Sequence, residues 1–82
     1  MAVKLRMKRF GRRNRPFFRI NAIDGRAPRD GKVIEELGWY DPTANDPEKQ
    51  ASLRRERVQY WLSVGAQPSE TVRDLLKRRG IL

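Results

Sequence analysis

The 82-residue sequence contains neither cysteine nor histidine. Without cysteine the chain has no disulfide, no thiolate chemistry and no zinc–thiolate site. Without histidine it lacks the commonest general base and metal ligand, so a histidine-dependent triad is excluded. No apolar run approaches the ~20 residues of a membrane-spanning helix, and residues 1–10 lack the long apolar centre of a signal peptide. We therefore expect one cytoplasmic domain over residues 1–82, without membrane association.

Acidic residues are also scarce. The chain has ten of them against nineteen lysines and arginines, which gives a net charge of +9. The imbalance is local: residues 1–32 carry a net +9, residues 33–72 a net −3 and residues 73–82 a net +3. A polyanionic partner would relieve the self-repulsion of so small a body. Arginine outnumbers lysine fourteen to five, which favours bidentate phosphate recognition. Nucleic acid is the predicted partner.

Three strands are predicted in the first half of the chain. Val3, Leu5 and Met7 alternate with basic residues, which indicates a half-buried strand with one basic face. A loop marked by Gly11 and Asn14-Arg15-Pro16 follows, and then a second strand over 17–23 that pairs antiparallel with the first. A third strand spans 32–40, after a turn-rich loop over 24–31.

Two helices are predicted in the second half. Apolar residues at helical spacing precede Gly65, which suits a left-handed cap, and Ser69 is a good N-cap for the second helix, which Gly80 ends. Ala51 and Leu53 form a short strand or lead into the first helix. The predicted fold is α+β, a small mixed or mainly antiparallel sheet of about four strands with two C-terminal helices packed on it. The predicted core comprises Val3, Leu5, Phe18, Ile20, Val58, Trp61, Leu62, Val72, Leu75 and Leu76.

The segment KRFGRRNRPFFRI, residues 8–20, combines six basic residues with three phenylalanines. Such a density of like charge on a loop opposes folding, so we interpret it as a phosphate-binding hairpin and not as a solvated turn; its loop arginines are Arg9, Arg12, Arg13 and Arg15. Phe18 is in phase with the apolar face and is expected in the core. Phe10 and Phe17 either stack on bases or pack in the core. Trp39, Tyr40, Tyr60 and Trp61 are expected in the core and at its rim.

The acidic residues do not indicate a metal site. Glu35 and Glu36 are adjacent in the third strand and therefore point to opposite faces. Asp24 and Asp30 have an ordinary explanation as turn residues before glycine. A free-standing DNA-binding module or a metal-dependent nuclease is kept as the alternative function, although nothing in the spacing brings carboxylates together.

Three separated segments resemble the bacterial-type family of small-subunit ribosomal protein number sixteen. They are residues 8–20, then DGRAPRDGKVIEELGWYDP over 24–42 and RVQYWLSVGAQPSETVRDLLKRRG over 57–80. The resemblance implies a non-enzymatic structural component of the ribosome. Its partners would be small-subunit ribosomal RNA and neighbouring small-subunit ribosomal proteins, with no small-molecule substrate and no cofactor other than Mg²⁺ belonging to the RNA. A cytoplasmic ribosome is implied, and an organellar origin stays open.

The family motifs fall on Arg9-Phe10-Gly11, Arg15-Pro16-Phe17, Pro28-Arg29-Asp30-Gly31 and Gly65-Ala66-Gln67-Pro68-Ser69. Where the family usually has Asp or Asn before the first helix this chain has Arg54, so Ser52 is an alternative, earlier cap. Charge and resemblance together predict these RNA-binding residues: Lys4, Arg6, Lys8, Arg9, Phe10, Arg12, Arg13, Arg15, Phe17, Arg19, Arg26, Arg29, Lys32, Arg73, Lys77, Arg78 and Arg79.

Overall fold

The computed structural model describes residues 3–12, 15–25 and 33–82. A single 3-10 turn at Pro47–Lys49 interrupts the connection between the third and fourth strands. The elements in chain order are β1 (Val3–Arg12), β2 (Arg15–Asp24), β3 (Val33–Tyr40), β4 (Ala51–Leu53), α1 (Arg55–Ser63), β5 (Gln67–Pro68) and α2 (Glu70–Arg78).

The five strands of the described ranges form one mixed sheet in the order β4-β3-β2-β1-β5. All neighbours are antiparallel except β1 and β5, which run parallel. The predicted α+β class and C-terminal helices are confirmed. The sequence suggested about four strands and missed β5, which has only two residues. Two residues carry no alternation, and their strand conformation depends on pairing with β1.

The β1–β2 hairpin is longer than the sequence suggested. The pairing runs from Val3 opposite Asp24 to Arg12 opposite Arg15, so the predicted loop from Gly11 to Pro16 is largely strand. Gly11 adopts a φ of 98° and lies opposite Pro16. A Cβ on Gly11 would lie 2.5 Å from the carbonyl oxygen of Arg15. The missing side chain therefore lets the two strands stay close where a loop was expected.

A bulge in β3 explains why its apolar alternation is imperfect. Ile20 pairs with Gly38 but the next residue, Asn21, pairs with Glu36, so Leu37 is an extra residue in the strand. Leu37 is fully buried in the core. Beyond the bulge, Gly38 pairs with Leu53 of β4. Ala51 and Leu53 thus belong to a short strand.

The two helices begin in different ways. Ser69 caps α2, since its side chain accepts a hydrogen bond from the backbone N–H of Val72. Arg54 occupies the N-cap position of α1 without a side-chain cap, and its backbone N–H donates to the carbonyl of Leu37 at 2.8 Å. The alternative cap, Ser52, is wrong because this residue lies in β4. The start of α1 is fixed by a contact with the β3 bulge.

The glycines after the helices behave as predicted. Gly65 and Gly80 have φ values of 94° and 72° and follow the last turns of α1 and α2. In the described part of the chain, neither helix has the length and hydropathy needed to span a bilayer.

The core lies on one face of the sheet, beneath both helices. Its buried residues are Val3, Leu5, Ile20, Ala22, Leu37, Ala51, Val58, Trp61, Ala66, Val72, Leu75 and Leu76. Two predicted core residues are less buried than expected. Leu62 packs half-buried against the cluster, and Phe18 lies on the core side but at its margin, half-buried and stacked on Tyr40.

Candidate nucleic-acid interface

The second face of the sheet, which we call the open face, is not covered by any described helix. Alternation along β1 places Lys4, Arg6 and Lys8 on this face, because Val3, Leu5 and Met7 point to the core. In the register with β2, Arg6 lies opposite Asn21 and Lys8 opposite Arg19. None of the three basic side chains on β1 forms an ion pair with a described residue. Their charge is available to a partner.

Two further arginines of the open face have acidic neighbours. Arg19 reaches Glu36 at 3.5 Å, and Arg15 reaches Asp41 at 3.7 Å. The pKa of Asp41 lies below its ordinary value, chiefly because the Thr43 hydroxyl donates a hydrogen bond to it, with a smaller contribution from Arg15. Both arginines are well exposed, so these contacts are weak and leave donors free for a ligand.

Aromatic rings occupy the same face. Phe10 on β1 lies opposite Phe17 on β2, and Phe17 stacks on Trp39 of β3 with ring centroids 5.8 Å apart. The guanidinium of Arg19 lies 4.9 Å from the centroid of the Phe10 ring. The structure therefore places Phe10 and Phe17 outside the helix-covered core. Their stacking on bases stays a prediction.

Trp39 was expected in the core or at its rim, and its position on the open face was missed. The bulge at Leu37 shifts the phase of β3, so that Leu37 and Trp39 lie on opposite faces although they are two residues apart. Simple alternation assigns both residues to one face. The sequence signal that could have indicated the bulge is Gly38, an isolated glycine inside the strand and next to Leu37.

Of the four predicted loop arginines, the structure describes the side chains of Arg9 and Arg15, and these two lie on opposite faces of the sheet. Arg9 lies opposite Phe18, on the side of the helices, whereas Arg15 lies on the open face beside Asp41. The interpretation of a single basic loop does not hold for Arg9 and Arg15, because each lies in a paired strand whose side chains alternate between the two faces. The side chain of Arg12 and the predicted residues Arg13, Arg26, Arg29 and Lys32 lie outside the described residues.

The basic residues of α2 form a separate group on the other side of the sheet. Arg73 and Lys77 are exposed on the outer surface of the helix. Arg78 lies over the Tyr40 ring at 5.9 Å. Arg79 is partly buried and donates to the backbone carbonyls of Glu48 and Ala51 at 3.2 and 3.0 Å. The predicted RNA-binding residues thus divide between two surfaces, and Arg79 has a structural function.

The adjacent glutamates of β3 point to opposite faces, as predicted. Glu35 accepts two hydrogen bonds from Arg57 of α1, at 2.6 and 2.7 Å, whereas Glu36 faces Arg19. Arg57 is the main reason that the pKa of Glu35 lies below its ordinary value. The indole of buried Trp61 adds a smaller effect, without a hydrogen bond of regular geometry. Within the described ranges, no group of acidic side chains is arranged to hold a metal ion.

Comparison with known proteins agrees with the sequence resemblance. The family model described as Ribosomal protein S16 matches residues 9–69. The chain is 55% identical over 80 residues to the small ribosomal subunit protein bS16 of Rhodopirellula baltica, and 53% identical over 83 residues to the protein bS16m/bS16c of Arabidopsis thaliana. It is 51% identical over 82 residues to bS16 of Thermoanaerobacter sp. strain X514.

The alignments cover 98–100% of this chain in all three cases. The chain spans 55% and 62% of the length of the Rhodopirellula and Arabidopsis proteins, and 93% of the Thermoanaerobacter protein. Since the family model matches most of the chain and the relatives share about half of its residues, the chain belongs to the ribosomal protein S16 family.

Proposed function

We propose that the protein is a structural constituent of the small ribosomal subunit that binds small-subunit ribosomal RNA through the open face of its sheet. The observation that carries the proposal is the row of Lys4, Arg6 and Lys8 on β1, which no described helix covers and no described acid neutralises. The relatives support it, because their names place them in the small ribosomal subunit.

The geometry of β1 suits contacts to an RNA backbone. Alternate residues of a strand lie ~7 Å apart, so the three cations form a straight row along a rigid sheet. Ribosomal RNA is recognised largely through phosphates, 2′-hydroxyls and shape, which requires positioned cations more than base-specific donors. Pairing of β1 with both β2 and β5 holds the row in place. Arg15 and Arg19 extend the positive surface across the hairpin.

The proposal includes the remaining partners. The protein would lie in the ribosome beside other small-subunit proteins, and Mg²⁺ would belong to the bound RNA. No catalytic step is needed, because the function is to neutralise phosphates that RNA folding brings together.

A salt titration of binding to small-subunit ribosomal RNA tests this proposal. Replacement of Lys4, Arg6 and Lys8 by Gln should weaken binding and reduce the slope of log affinity against log salt by about 2–3, at ~0.7–0.9 per phosphate contact. The matched control replaces Arg73, Lys77 and Arg78 of α2 by Gln, which removes the same charge from the other side of the sheet.

The two triple variants and the wild-type protein together separate three outcomes. A smaller slope only in the β1 variant supports the open face as the RNA surface. A smaller slope only in the α2 variant moves the RNA contact to the helix. The third outcome concerns the wild-type protein. If it does not co-sediment with small ribosomal subunits at moderate salt, and binds duplex DNA as tightly as the ribosomal RNA or more tightly, the DNA-binding alternative is favoured.

A further inference from the structure

Three aromatic residues on neighbouring strands share the open face. Phe10, Phe17 and Trp39 come from β1, β2 and β3, and each is at least partly exposed, with Phe10 at 38%. Phe10 and Phe17 are direct cross-strand partners, and Phe17 and Trp39 stack. No described element lies against this row. Flat aromatic rings on an uncovered sheet face form a surface on which bases can stack.

Cross-strand packing is the simpler explanation for such a row, because aromatic pairs stabilise sheets by themselves. A second pair allows a comparison within the same sheet. Phe18 and Tyr40 have nearly the same geometry as Phe17 and Trp39, with interplanar angles of 25° and 24°. The Phe18–Tyr40 pair lies on the helix side, where Arg78 of α2 covers the Tyr40 ring. Packing against α2 accounts for the Phe18–Tyr40 pair, whereas no described element packs against the rings of Phe17 and Trp39.

Basic groups surround the aromatic row and indicate the chemistry of its partner. The Arg19 guanidinium and the Lys8 amine lie 4.9 and 5.8 Å from the centroid of the Phe10 ring. Glu36 and Asp41 are the acids paired with arginines of this face, and each faces one arginine that stays exposed. An apolar peptide would have to desolvate these cations, whereas a nucleic acid supplies phosphates for the cations and bases for the rings.

We propose that Phe17 and Trp39, assisted by Phe10, stack on unpaired nucleobases of the bound RNA. The protein then recognises a single-stranded segment or a bulge with this face, because bases inside an A-form duplex are already stacked on one another. The inference rests on the proposed function, and it specifies the class of RNA structure that the open face accepts.

Fluorescence and affinity measurements on the full chain test the proposal. The probes are a single-stranded adenosine decanucleotide and a ten-base-pair RNA duplex, both at low salt. The single strand should quench the fluorescence of the wild-type protein through Trp39, since the second tryptophan, Trp61, is buried in the core. Trp39→Leu should bind the single strand about tenfold more weakly, from the loss of one stacked base, with an unchanged salt slope. Binding to the duplex should change less than twofold.

Two variants separate stacking from folding. Trp39→Phe keeps a flat ring and should retain the affinity while losing the quenching, and Tyr60→Leu removes an exposed aromatic on α1 and should change neither. Two results overturn the stacking proposal alone. In the first, Trp39→Leu weakens single-strand and duplex binding equally; in the second, the single strand does not quench the fluorescence of the wild-type protein. A wild-type protein that binds neither RNA overturns the proposed function as well, which distinguishes the two failures.

Discussion

The two faces of the sheet differ in residue type: one carries the buried apolar core, and the other carries basic and aromatic residues. On the helix-covered face, Leu5, Ile20 and Leu37 are completely buried beneath α1 and α2. On the open face, the same strands carry basic and aromatic residues that no described element covers. Because β1 and β2 contribute to both faces through alternation, one hairpin supplies four of the twelve buried core residues and most of the proposed RNA surface. The buried core and the proposed RNA surface are thus separated by side-chain direction along the same backbone.

The largest effect is expected from the helix-covered face. Leu75→Ala should lower the free energy of unfolding by about 2–5 kcal/mol, because it leaves a cavity between α2 and the sheet. A net stability of ~3–5 kcal/mol is typical for this size, so much of the variant would be unfolded. Urea denaturation measures the change. Val64→Ala, at a residue that is 55% exposed, is the control and should change stability by less than about 0.5 kcal/mol.

A smaller loss is expected at the point where β3 changes phase between the two faces. A Cβ at Gly38 would overlap the backbone carbonyl oxygen of Ser52 on β4. Gly38→Ala should therefore cost about 3 kcal/mol, since the β3–β4 pairing must open to make room. Gly65→Ala, where no atom lies within 4 Å, should cost about 1 kcal/mol through its positive φ alone. Equal costs in urea denaturation would contradict the steric explanation.

The pH dependence of stability should distinguish the neighbouring glutamates. The pKa of Glu35 is lowered by Arg57 below its ordinary value of 4.5. Its contribution to stability is therefore fully present above about pH 4.5 and is lost as the pH falls through the lower folded-state pKa. Glu35→Gln should reduce the melting temperature at pH 7 and flatten its decline on acidification. Glu36→Gln, which alters the weaker contact on the open face, should leave the melting curve nearly unchanged at each pH.

The smallest effect on stability is expected from the open face. Replacement of Lys4, Arg6 and Lys8 by Gln should change the free energy of unfolding by less than about 0.5 kcal/mol, with a slight gain because like-charge repulsion falls. Urea denaturation at low salt is the measurement. A loss comparable to that of Leu75→Ala would show that the basic row contributes to folding and would remove the contrast between the two faces.

Much of the helix-covered face could be predicted from the sequence. The spacing of Val72, Leu75 and Leu76 and the cap at Ser69 located α2, and alternation located the buried side of β1. Gly11 and Pro16 were misleading as loop signals, because the two residues lie opposite each other in the antiparallel pairing of β1 with β2. Leu37 was missed because its burial depends on a bulge. Prediction was poorest where pairing with a distant strand overrides the local signal.

The candidate interface was predicted in part. The basic side of β1 was predicted from alternation. For Phe10 and Phe17 the sequence left two positions open, in the core or at the surface. Grouping the loop arginines was wrong for Arg9, which lies on the helix side while Arg15 lies on the open face. Position along a loop gives no side-chain direction, whereas position in a paired strand fixes it.

The sequence by itself determined the net positive charge of the chain, the α+β class, the two helices and the family, because composition, periodicity and motifs are local properties of the chain. Only the tertiary structure decided that α1 starts at the β3 bulge, that Trp39 joins Phe17 on the open face and that Arg79 binds backbone carbonyls. Each of these depends on contacts between residues far apart in the chain. These contacts form only when the register of the sheet is set, so a local sequence pattern does not predict them.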